Sequence, residues 1–328
     1  MRVLVTGGAG FIGSHFVKRL AAKGDEAVVL DRLTYSGNRA NLEGVEHEFH
    51  HGDIADPEAV AAAGTGCAAV ANFAAETHVD RSILGPREFV HTDVLGTQTL
   101  LEWARESGAR YVQVSTDEVY GDLEPNIRSR EDDPLRPSSP YAAAKAAGDL
   151  QVLAYVRTYG VRASITRGAN TFGSHQYPEK LIPLFVTNAL EGLELPVYGD
   201  GKQVREWLHA DDHCAAIELV LRDGEPGEVY NVGGEEFENI EVTHRIVELT
   251  GVDAGLIRHV EDRAGHDRRY ALDDAKLRTL GWSPRHSFGE TGLTETVEWY
   301  RANRDWWEPI KSGEYREYYE RQYAHRLA

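Results

Sequence analysis

A tyrosine and a lysine one helical turn apart are the residues of this sequence best suited to moving a proton. Tyr141 and Lys145 are four positions apart in an alanine-rich stretch, so a helix would place them on the same face. A nearby ammonium lowers the pKa of a phenol, and Tyr141 could then take a proton from an alcohol as hydride leaves. This spacing also arises by chance in helices, so its chemistry depends on the elements around it.

Two adjacent carboxylates stand at the end of the strand that precedes this helix. Asp117 and Glu118 directly follow Thr116, whose hydroxyl could bond the same alcohol oxygen as Tyr141. Oxidising an alcohol needs no second acid–base pair, whereas an elimination needs one group to remove a carbon-bound proton and another to protonate the leaving hydroxyl. A solvated acidic pair at the start of a loop is the common alternative, but the neighbouring Tyr141 helix favours the elimination.

Glycines near the N-terminus predict a turn that binds a dinucleotide. Gly7, Gly10 and Gly13 lie between an apolar strand and a helix, where bare backbone can approach a pyrophosphate. Asp31, 18 positions after Gly13, ends the next strand and could accept from both ribose hydroxyls, which favours NAD over NADP. Arg32 is a counter-indication, since it could accommodate a 2′-phosphate, and Asp31 could also be a simple loop carboxylate.

A second acidic residue could hold the adenine end of such a cofactor. Asp53, in the run Gly52-Asp53-Ile54, could accept a hydrogen bond from the adenine amino group. Gly-Asp is also an ordinary turn sequence, so both interpretations stay open.

Apolar strand-like runs alternate with helical stretches in the first half of the chain. The strand-like runs are residues 2–6, 27–31, 68–74, 110–115 and 161–167. The helical stretches are residues 11–23, part of 56–63, 87–107 and 141–159. This alternation predicts an α/β fold with a doubly wound parallel sheet of Rossmann type.

Segments punctuated by glycine and proline predict a second, smaller α/β lobe. We expect residues 1–170 to form the NAD-binding domain and residues 171–328 to form mainly the substrate-binding lobe. In the lobe we expect helices at 179–192 and 241–250, and a strand near 228–232 that returns to the large sheet.

Composition and charge exclude several classes of protein. With 328 residues, of which 41% are hydrophobic and 27% charged, the chain is ordinary for a globular protein of about two domains. Its 35 basic and 53 acidic residues give a net charge of −18. That charge disfavours nucleic acid and membrane surfaces as partners but still allows a small anionic substrate.

Cysteine usage and hydropathy indicate a cytoplasmic protein. Cys67 and Cys214 are far apart and lack metal-type spacing, so we expect neither a disulfide framework nor a metal site. Apolar runs are too short for a membrane-spanning helix or a signal peptide. The tail at 299–324, rich in Trp and Tyr, indicates packing and offers no chemistry that we can argue.

Nine segments resemble the extended short-chain dehydrogenase/reductase family, and closely resemble its nucleotide-sugar 4,6-dehydratase branch. They are GGAGFIGS at 7–14, DRLTYSGN at 31–38, NFAAETHVDRSI at 72–83, STDEVYG at 115–121, YAAAK at 141–145, QYPEKLIP at 176–183, VYGDGKQVREWLHADDH at 197–213, YNVGG at 230–234 and RAGHDRRYALD at 263–273. The acidic pair and the Gly-His-Asp-Arg-Arg-Tyr run separate this branch from ordinary epimerases.

The resemblance implies a lyase with tightly bound NAD that is recycled within each turnover. The substrate would be dTDP-glucose, and the products would be dTDP-4-dehydro-6-deoxyglucose and water. Tyr141, assisted by Lys145 and Thr116, would take the C4 hydroxyl proton as hydride leaves C4. Glu118 would then remove the C5 proton, Asp117 would protonate the departing C6 hydroxyl, and the hydride would return to C6.

The resemblance also implies ligand contacts and a homodimer, in which the helices at 87–107 and 141–159 would pair across a two-fold axis. The implied NAD contacts are Gly7, Gly10, Phe11, Ile12, Gly13, Asp31, Arg32, Leu33, Thr34, Asp53, Ile54, Phe73, Ala74, Ala75, Thr92, Tyr141 and Lys145. The implied substrate contacts are Thr77, Thr116, Asn170, Lys180, Leu181, Arg205, Asn239, Arg263 and His266.

Elementary chemistry supports some of these substrate contacts. Arg205 and Arg263 are cations of the kind that a diphosphate needs. Pro196, Val197 and Tyr198 offer an aromatic face on which a pyrimidine could stack. A single arginine is more often part of a surface salt bridge, so the ligand interpretation depends on the matching runs around it.

Three positions depart from the family pattern. Thr171 and Asp93 each replace an asparagine, and Ala264 replaces a proline, which puts local contacts in question rather than the reaction. Two other functions stay open. A nucleotide-sugar epimerase or decarboxylase would use Tyr141 and Lys145 without the acidic pair, and a non-catalytic NAD-binding sensor or scaffold would have no use for that pair.

Overall fold

The fold is described by a computed structural model that covers residues 1–262, 265–312, 315–317, 319 and 322–323. Its strands are β1 (Arg2–Thr6), β2 (Glu26–Asp31), β3 (Glu48–His51), β4 (Ala69–Asn72), β5 (Arg110–Thr116), β6 (Ala163–Gly168), β7 (Asn170–Phe172), β8 (Leu195–Tyr198), β9 (Val204–His209), β10 (Val229–Val232), β11 (Glu235–Glu238) and β12 (Ile257–Val260). Its α-helices are α1 (Phe11–Ala22), α2 (Pro57–Ala63), α3 (Val79–Leu84), α4 (Pro86–Phe89), α5 (Thr97–Ser107), α6 (Pro140–Tyr159), α7 (Leu181–Glu191), α8 (Ala210–Asp223), α9 (Asn239–Thr250), α10 (Ala275–Thr279), α11 (Leu293–Ala302) and α12 (Arg304–Trp307). None of the helices within these ranges is long and apolar enough to cross a bilayer.

Seven strands form one parallel sheet in the order β3-β2-β1-β4-β5-β6-β10. The direction of winding reverses at β1, which pairs with both β2 and β4. In sheets of this kind, a ligand cleft forms at the carboxyl ends of the strands beside such a switch point. The doubly wound α/β fold predicted from the sequence is confirmed.

Both faces of this sheet are buried under helices. Val3 of β1 joins a core with Phe16 of α1 and Ile217 of α8. Leu4, the next residue, joins another core with Leu101 of α5. Successive strand residues point to opposite faces, so the continuous apolar runs of the sequence require cover on both sides.

A further core lies among the shorter elements of the second lobe. Strands β11, β9 and β7 form a three-stranded sheet, and β12 pairs with β8. Phe172, Phe185, Trp207, Ile246 and Phe288 are buried together in this core. The lobe therefore has its own apolar interior beside that of the large sheet.

Predicted and observed elements differ most where strands are short. The predicted helices at 179–192 and 241–250 correspond to α7 and α9, and the predicted strand at 228–232 corresponds to β10 in the large sheet. Strands β3, β7, β8, β9, β11 and β12 were not predicted. Each has three to six residues, over which hydropathy shows little periodicity. The division of the chain at residue 170 stays a prediction.

The helix predicted at 87–107 contains a π-helical segment, Val90–Gly96, between α4 and α5. A methyl group at Gly148 would lie 3.0 Å from the Asp93 carbonyl oxygen, so α6 packs closely against this segment. Hydropathy does not distinguish a π turn from an α turn. Such turns often mark functional sites, because they displace side chains from the regular helix positions.

Candidate active site

The carboxyl ends of the central strands open into two adjoining cavities of about 270 and 150 Å³. The larger one, which we call the cofactor half, contains the glycine turn and the start of α6. The smaller one, which we call the substrate half, is lined by parts of α7, β8, β9 and α9. Glu118, Asn170, Glu179 and Lys180 line both cavities, so the two halves belong to one cleft.

The glycine turn leaves no room for side chains. A methyl group at Gly13 would lie 2.3 Å from the Gly7 carbonyl oxygen, and one at Gly7 would lie 2.7 Å from the Ala74 amide nitrogen. Gly7 also has a φ of 66°, a conformation that side chains disfavour. The turn therefore brings bare backbone to the N-terminus of α1, and these residues fit the pyrophosphate of NAD.

Asp31 is held by backbone amides at the end of β2. Its Oδ2 accepts from the Ala9 amide at 2.9 Å, and its Oδ1 accepts from the Leu33 amide at 2.8 Å. Burial raises the pKa of Asp31, although these two donors oppose the shift. Each carboxylate oxygen has a further lone pair, so Asp31 can still accept from ribose hydroxyls. All the residues predicted to contact NAD line the cofactor half except Leu33.

The Arg32 guanidinium, a possible indication of a 2′-phosphate, pairs with acids of the protein itself. Its Nη1 lies 3.1 Å from Asp53 Oδ2, and its Nη2 lies 3.8 Å from Glu88 Oε2. Asp53 also accepts from the Ala55 amide and contacts His91. Burial raises the pKa of Asp53, but these contacts outweigh it and lower the pKa overall. The acid predicted to meet adenine thus already has several protein partners.

Tyr141 and Lys145 lie on the first two turns of α6, at the floor of the cofactor half. Both are almost fully buried. The Lys145 ammonium donates to the Val114 carbonyl oxygen at 2.7 Å and lies 3.6 Å from Asp93 Oδ1. A strand end and a buried acid therefore hold the ammonium in place.

In this cleft the pKa of the Tyr141 phenol is raised overall, not lowered as the sequence predicts. Burial raises this pKa well above the usual 10, and the charges of Glu118 and Asp93 raise it further. A hydrogen bond with Thr116 opposes the shift. The Lys145 charge is directed toward Asp93, so the cleft on its own keeps Tyr141 protonated.

Asp117 and Glu118 open a short 3₁₀-helix, Asp117–Tyr120, that follows β5. Asp117 is 2% exposed, and its Oδ1 accepts from the Thr116 hydroxyl at 3.1 Å. Its Oδ2 has no hydrogen-bond partner among the described residues. Burial, together with the charges of Glu118 and Glu206, raises the pKa of Asp117 to about 8. Asp117 therefore carries a proton at neutral pH, as a general acid must.

Cationic side chains lie at the boundary and inside the substrate half. The Lys180 ammonium donates to the Thr77 carbonyl oxygen at 2.6 Å. Arg205 is buried, donates to the Asp267 carbonyl oxygen at 2.9 Å and lies 4.3 Å from the Tyr270 ring centroid. These contacts orient the guanidinium without cancelling its charge, so it can still attract a diphosphate.

Tyr198 stands beside two other rings in the substrate half. Its ring lies 6.1 Å from that of Tyr323 at an angle of 24°, and 6.0 Å from that of His266 at 83°. Tyr323 itself lines the cavity, so the tail predicted only to pack contributes a wall to the cleft.

All the described residues that were predicted to contact substrate line the cleft. Arg263, together with the departure at Ala264, lies outside the described residues. Sequence reasoning missed other polar lining residues, namely Ser36, Glu76, His78, Asp80, Ser115, Gln176, Tyr177, Glu179, Trp207, His213, Thr243 and Tyr323. Alternation could have found Trp207, because it lies two positions after Arg205 in β9 and shares its face.

Thr171, one of the departures from the family pattern, supports a buried histidine. Its Oγ1 lies 2.8 Å from His213 Nδ1, and both residues line the cofactor half. Burial lowers the pKa of His213 to about 4, so the imidazole is neutral. This substitution therefore places a hydroxyl partner beside an uncharged ring.

His209, Asp211 and His286 bring potential metal-ligand atoms within 4.8 Å of one another outside the cleft. The two imidazole rings stack with centroids 4.0 Å apart and an interplanar angle of 24°. An ion bound by both rings would have to lie in both ring planes, which stacked rings do not permit. Asp211 instead contacts His15 Nδ1 at 2.7 Å, so we assign no metal to this cluster.

A family model and several known proteins each match most of this chain. The model of the NAD dependent epimerase/dehydratase family matches residues 3–233. A dTDP-glucose 4,6-dehydratase of Streptomyces niveus is 52% identical over 325 residues, which cover 95% of this chain and 96% of that protein.

Solved structures agree with this match. DesIV, a dTDP-glucose 4,6-dehydratase from Streptomyces venezuelae solved with NAD and TYD bound, is 54% identical with a TM-score of 0.92, covering 95% of this chain and 100% of that chain. The Thermus thermophilus UDP-glucose 4-epimerase in complex with NAD is 36% identical with a TM-score of 0.87, covering 92% of this chain and 100% of that chain. This chain belongs to the NAD dependent epimerase/dehydratase family.

Proposed function

We propose that the protein converts dTDP-glucose to dTDP-4-dehydro-6-deoxyglucose and water, with NAD bound and recycled in each turnover. The observation that carries the proposal is a buried acid, Asp117, whose Oδ2 has no partner among the described residues and which adjoins Glu118 beside the start of α6. Oxidation at C4 uses neither carboxyl group, whereas elimination uses both. The two 4,6-dehydratases at 52% and 54% identity support the same conclusion.

In the first step, Tyr141 receives the proton of the C4 hydroxyl while Thr116 bonds the same oxygen. Bound NAD supplies reversible storage of the C4 hydride and a positively charged nicotinamide ring. The N-terminus of α6 adds a partial positive charge near Tyr141, and Lys145 keeps an ammonium one turn away. These charges counter the burial that raises the pKa of the phenol.

In the second step, Glu118 removes the C5 proton, which the C4 ketone makes acidic. Asp117 gives its proton to the C6 hydroxyl, which leaves as water. The charge of Glu118 helps to raise the pKa of Asp117, so the environment assigns the two carboxyl groups opposite roles. Return of the hydride to C6 would be accompanied by transfer of the proton from Glu118 to C5. Asp117 then regains a proton from solvent and Tyr141 releases the C4 hydroxyl proton to solvent, so that one water is lost overall.

The substrate half supplies recognition of the nucleotide. We assign the diphosphate to Arg205 and the pyrimidine to the segment that ends at Tyr198. Lys180 lies at the boundary, where the sugar must enter the cofactor half. Asn170 and Asn239 each have a buried side-chain oxygen with no partner among the described residues, and a bound ligand can satisfy both.

A nucleotide-sugar 4-epimerase is the second candidate, because one at 36% identity shares the fold. An epimerase would use Tyr141 and Lys145 to oxidise the sugar and would never lose water. The protonated Asp117 favours the dehydratase, since hydride storage has no need of a buried acid.

The test is to incubate the purified NAD-containing protein with dTDP-glucose in deuterated water and to follow the sugar by mass spectrometry and NMR. We expect loss of one water, a ketone at C4 and deuterium at C5. Unchanged dTDP-glucose, followed by epimerisation or decarboxylation of UDP- or GDP-sugars, would favour the second candidate. Bound NAD without turnover of any of these sugars would indicate a non-catalytic binding protein.

We also infer a homodimer joined through the π segment, α5 and α6. Val90, Leu95 and Leu150 are 56%, 45% and 57% exposed, which is unusual for large apolar side chains grouped on neighbouring helices. Replacing Leu95 and Leu150 together by Glu should give single chains in light scattering. The matched control is Leu193→Glu, an apolar residue 47% exposed after α7, which should leave the dimer intact. A wild-type mass equal to one chain would reject the dimer.

We further infer a cytoplasmic location. Cys67 and Cys214 are both buried and free, as is usual in a reducing compartment. Fractionation of the source cells tests the inference, and recovery of the protein with membranes or outside the cell would contradict it.

A further inference from the structure

We propose that Asp93 is a positioning residue: it anchors the Lys145 ammonium, and its charge sets the pH range in which Tyr141 accepts the sugar's proton. The second part rests on the proposed function, because it assumes that Tyr141 is the proton acceptor. The sequence motifs assign no role to Asp93.

The carboxylate of Asp93 is enclosed and faces the ammonium. The residue is 1% exposed, and its Oδ1 lies 3.6 Å from the Lys145 nitrogen. Its Oδ2 accepts from the Glu76 amide at 3.3 Å, whereas Oδ1 has no hydrogen-bond partner among the described residues. Asp93 follows Thr92 in the π segment, so the same wide turn supplies one residue to the wall of the cofactor half and one to Lys145.

Asp93 is the acid best placed to balance Lys145. An ammonium has three N–H donors, and one of them already bonds the Val114 carbonyl oxygen. Asp149 lies one turn after Lys145 on α6, but its carboxylate pairs with Arg167 at 2.9 Å. Val114 occupies one donor and Asp93 pairs with the ammonium by charge, so a donor is left for a ligand in the cofactor half, which Lys145 lines.

Charged groups from several elements face this pair. Lys145 and Tyr141 face Asp93 from α6, and Glu76 faces it from the segment after β4. Burial, and to a smaller extent the charge of Glu76, raise the pKa of Asp93 to about 7, against the opposing effects of the Lys145 ammonium and the Glu76 amide. Asp93 therefore changes its charge near neutral pH.

The charge of Asp93 acts on Tyr141 in two ways with the same sign. A carboxylate repels a phenolate directly, and it offsets the positive charge of Lys145 that would stabilise the phenolate. Both effects raise the pKa of Tyr141 when Asp93 is ionised. A neutral residue at position 93 would therefore let Tyr141 accept a proton at lower pH.

The test compares Asp93→Asn, which keeps the shape and removes the charge, with Asp93→Glu, which keeps the charge. Single-turnover NADH formation from dTDP-glucose is measured on the NAD-containing proteins as a function of pH. In Asp93→Asn we expect the part of this profile's acidic limb above about pH 7, where Asp93 is ionised in the wild-type protein, to move to lower pH by about one unit. In Asp93→Glu we expect the limb to stay while the maximal rate falls. An unmoved limb in Asp93→Asn, or equal shifts in both variants, would overturn the proposal.

A measurement without substrate separates this proposal from the proposed function. Phenolate absorbance of the NAD-containing protein, minus that of the same protein carrying Tyr141→Phe, reports the titration of Tyr141 alone. Asp93→Asn should lower its midpoint, whatever the substrate is. An unchanged midpoint would overturn the role of Asp93, whereas failure of the wild-type protein to form NADH from dTDP-glucose would contradict only the proposed function.

Discussion

The glycine turn of the cofactor half and the substrate half of the cleft differ in how their polar groups are satisfied before a ligand binds. The contrast is confined to the turn, because Ser115, Asp117, Gln176 and His213, which line the rest of the cofactor half, each have a buried side-chain atom with no partner among the described residues. At the glycine turn and the strand ends next to it, Asp31 and Asp53 already accept from backbone amides. In the substrate half, Asn170, Trp207 and Asn239 each have a buried side-chain atom with no partner among the described residues. Backbone amides at the glycine turn and these strand ends therefore already bond the two carboxylates, whereas the substrate half acquires its missing hydrogen bonds from a ligand.

This contrast matches the residence of the two ligands that we propose. A recycled cofactor stays bound, so a site preorganised by backbone suits it. A substrate enters and leaves. When it binds correctly it completes these hydrogen bonds, which removes the free-energy penalty of buried unpaired groups and so favours binding. Asp117, with one oxygen bonded to Thr116 and the other unpaired, lines the cofactor half next to Glu118, which lines both halves.

Disturbing the glycine turn should have the largest effect and should separate the two halves. In Gly13→Ala the new methyl group would lie 2.3 Å from the Gly7 carbonyl oxygen, so the turn must open. We expect the purified variant to lack NAD, measured by cofactor release on denaturation, and to show only background turnover. It should still bind dTDP in calorimetric titration, because the substrate half is built from other elements.

Gly85→Ala is the matched control for this variant. Its methyl group would lie 3.9 Å from the Arg81 carbonyl oxygen, an ordinary contact, and Gly85 has a φ of −149°. The control should keep both NAD and turnover. Retention of NAD by Gly13→Ala, or loss of dTDP binding along with NAD, would contradict the independence of the two halves.

Removing the base that lines both halves should have the next largest effect. Glu118→Gln should lower overall turnover by about 10²–10⁴-fold, the usual contribution of a general base. Deuterium should no longer enter C5 from solvent, while NAD content and hydride transfer from C4 persist. Undiminished deuterium at C5 would remove Glu118 from the mechanism.

Removing the acid should separate water loss from oxidation. Asp117→Asn should slow water loss by about 10²-fold while single-turnover NADH formation continues. In the wild-type protein, water loss should decline as the pH rises through about 8, because Asp117 then loses the proton that it donates. The variant should lack that decline. An equal fall in NADH formation and overall turnover would contradict the acid role.

The smallest effect concerns stability. The pKa of Asp117 is about 8 in the folded protein, against the usual 3.8 of an aspartic acid. Between these two pH values the folded protein holds a proton that the unfolded chain has released. The free energy of unfolding therefore falls as the pH rises, and Asp117→Asn should remove this loss. By calorimetry, the variant's unfolding midpoint should exceed that of the wild-type protein increasingly between pH 4 and 8, by about 1–2 °C for each kcal/mol relieved.

Asp211→Asn is the control of opposite sign. The hydrogen bond with His15 lowers the pKa of Asp211 to about 2, so its charge stabilises the folded protein at neutral pH. Removing that charge should lower the midpoint. A pH-independent difference between Asp117→Asn and the wild-type protein would contradict the buried-acid assignment.

Predictability from sequence differs between the two halves. The glycine turn and Asp31 lie within one β-α-β segment, where local patterns suffice. The substrate half joins short strands that are distant in sequence, so that Asn170 of β7 lies opposite Trp207 of β9. Tyr323 reaches the same cavity from the tail. Contacts of this kind depend on packing between segments, which periodicity over three to six residues does not encode.

The sequence alone predicted the alternation of strands and helices, the glycine turn and the placement of Tyr141 and Lys145 on one helix face. These features depend on backbone preference and hydropathy over neighbouring positions. Folding was required to establish the charge states in the cleft. Burial and the charge of Glu206, which is distant in sequence, raise the pKa of Asp117, so it keeps its proton. Asp93 pairs with the Lys145 ammonium and so weakens the effect of that charge on Tyr141. Protonation follows from desolvation and from charges a few ångströms away, and only the assembled protein has both.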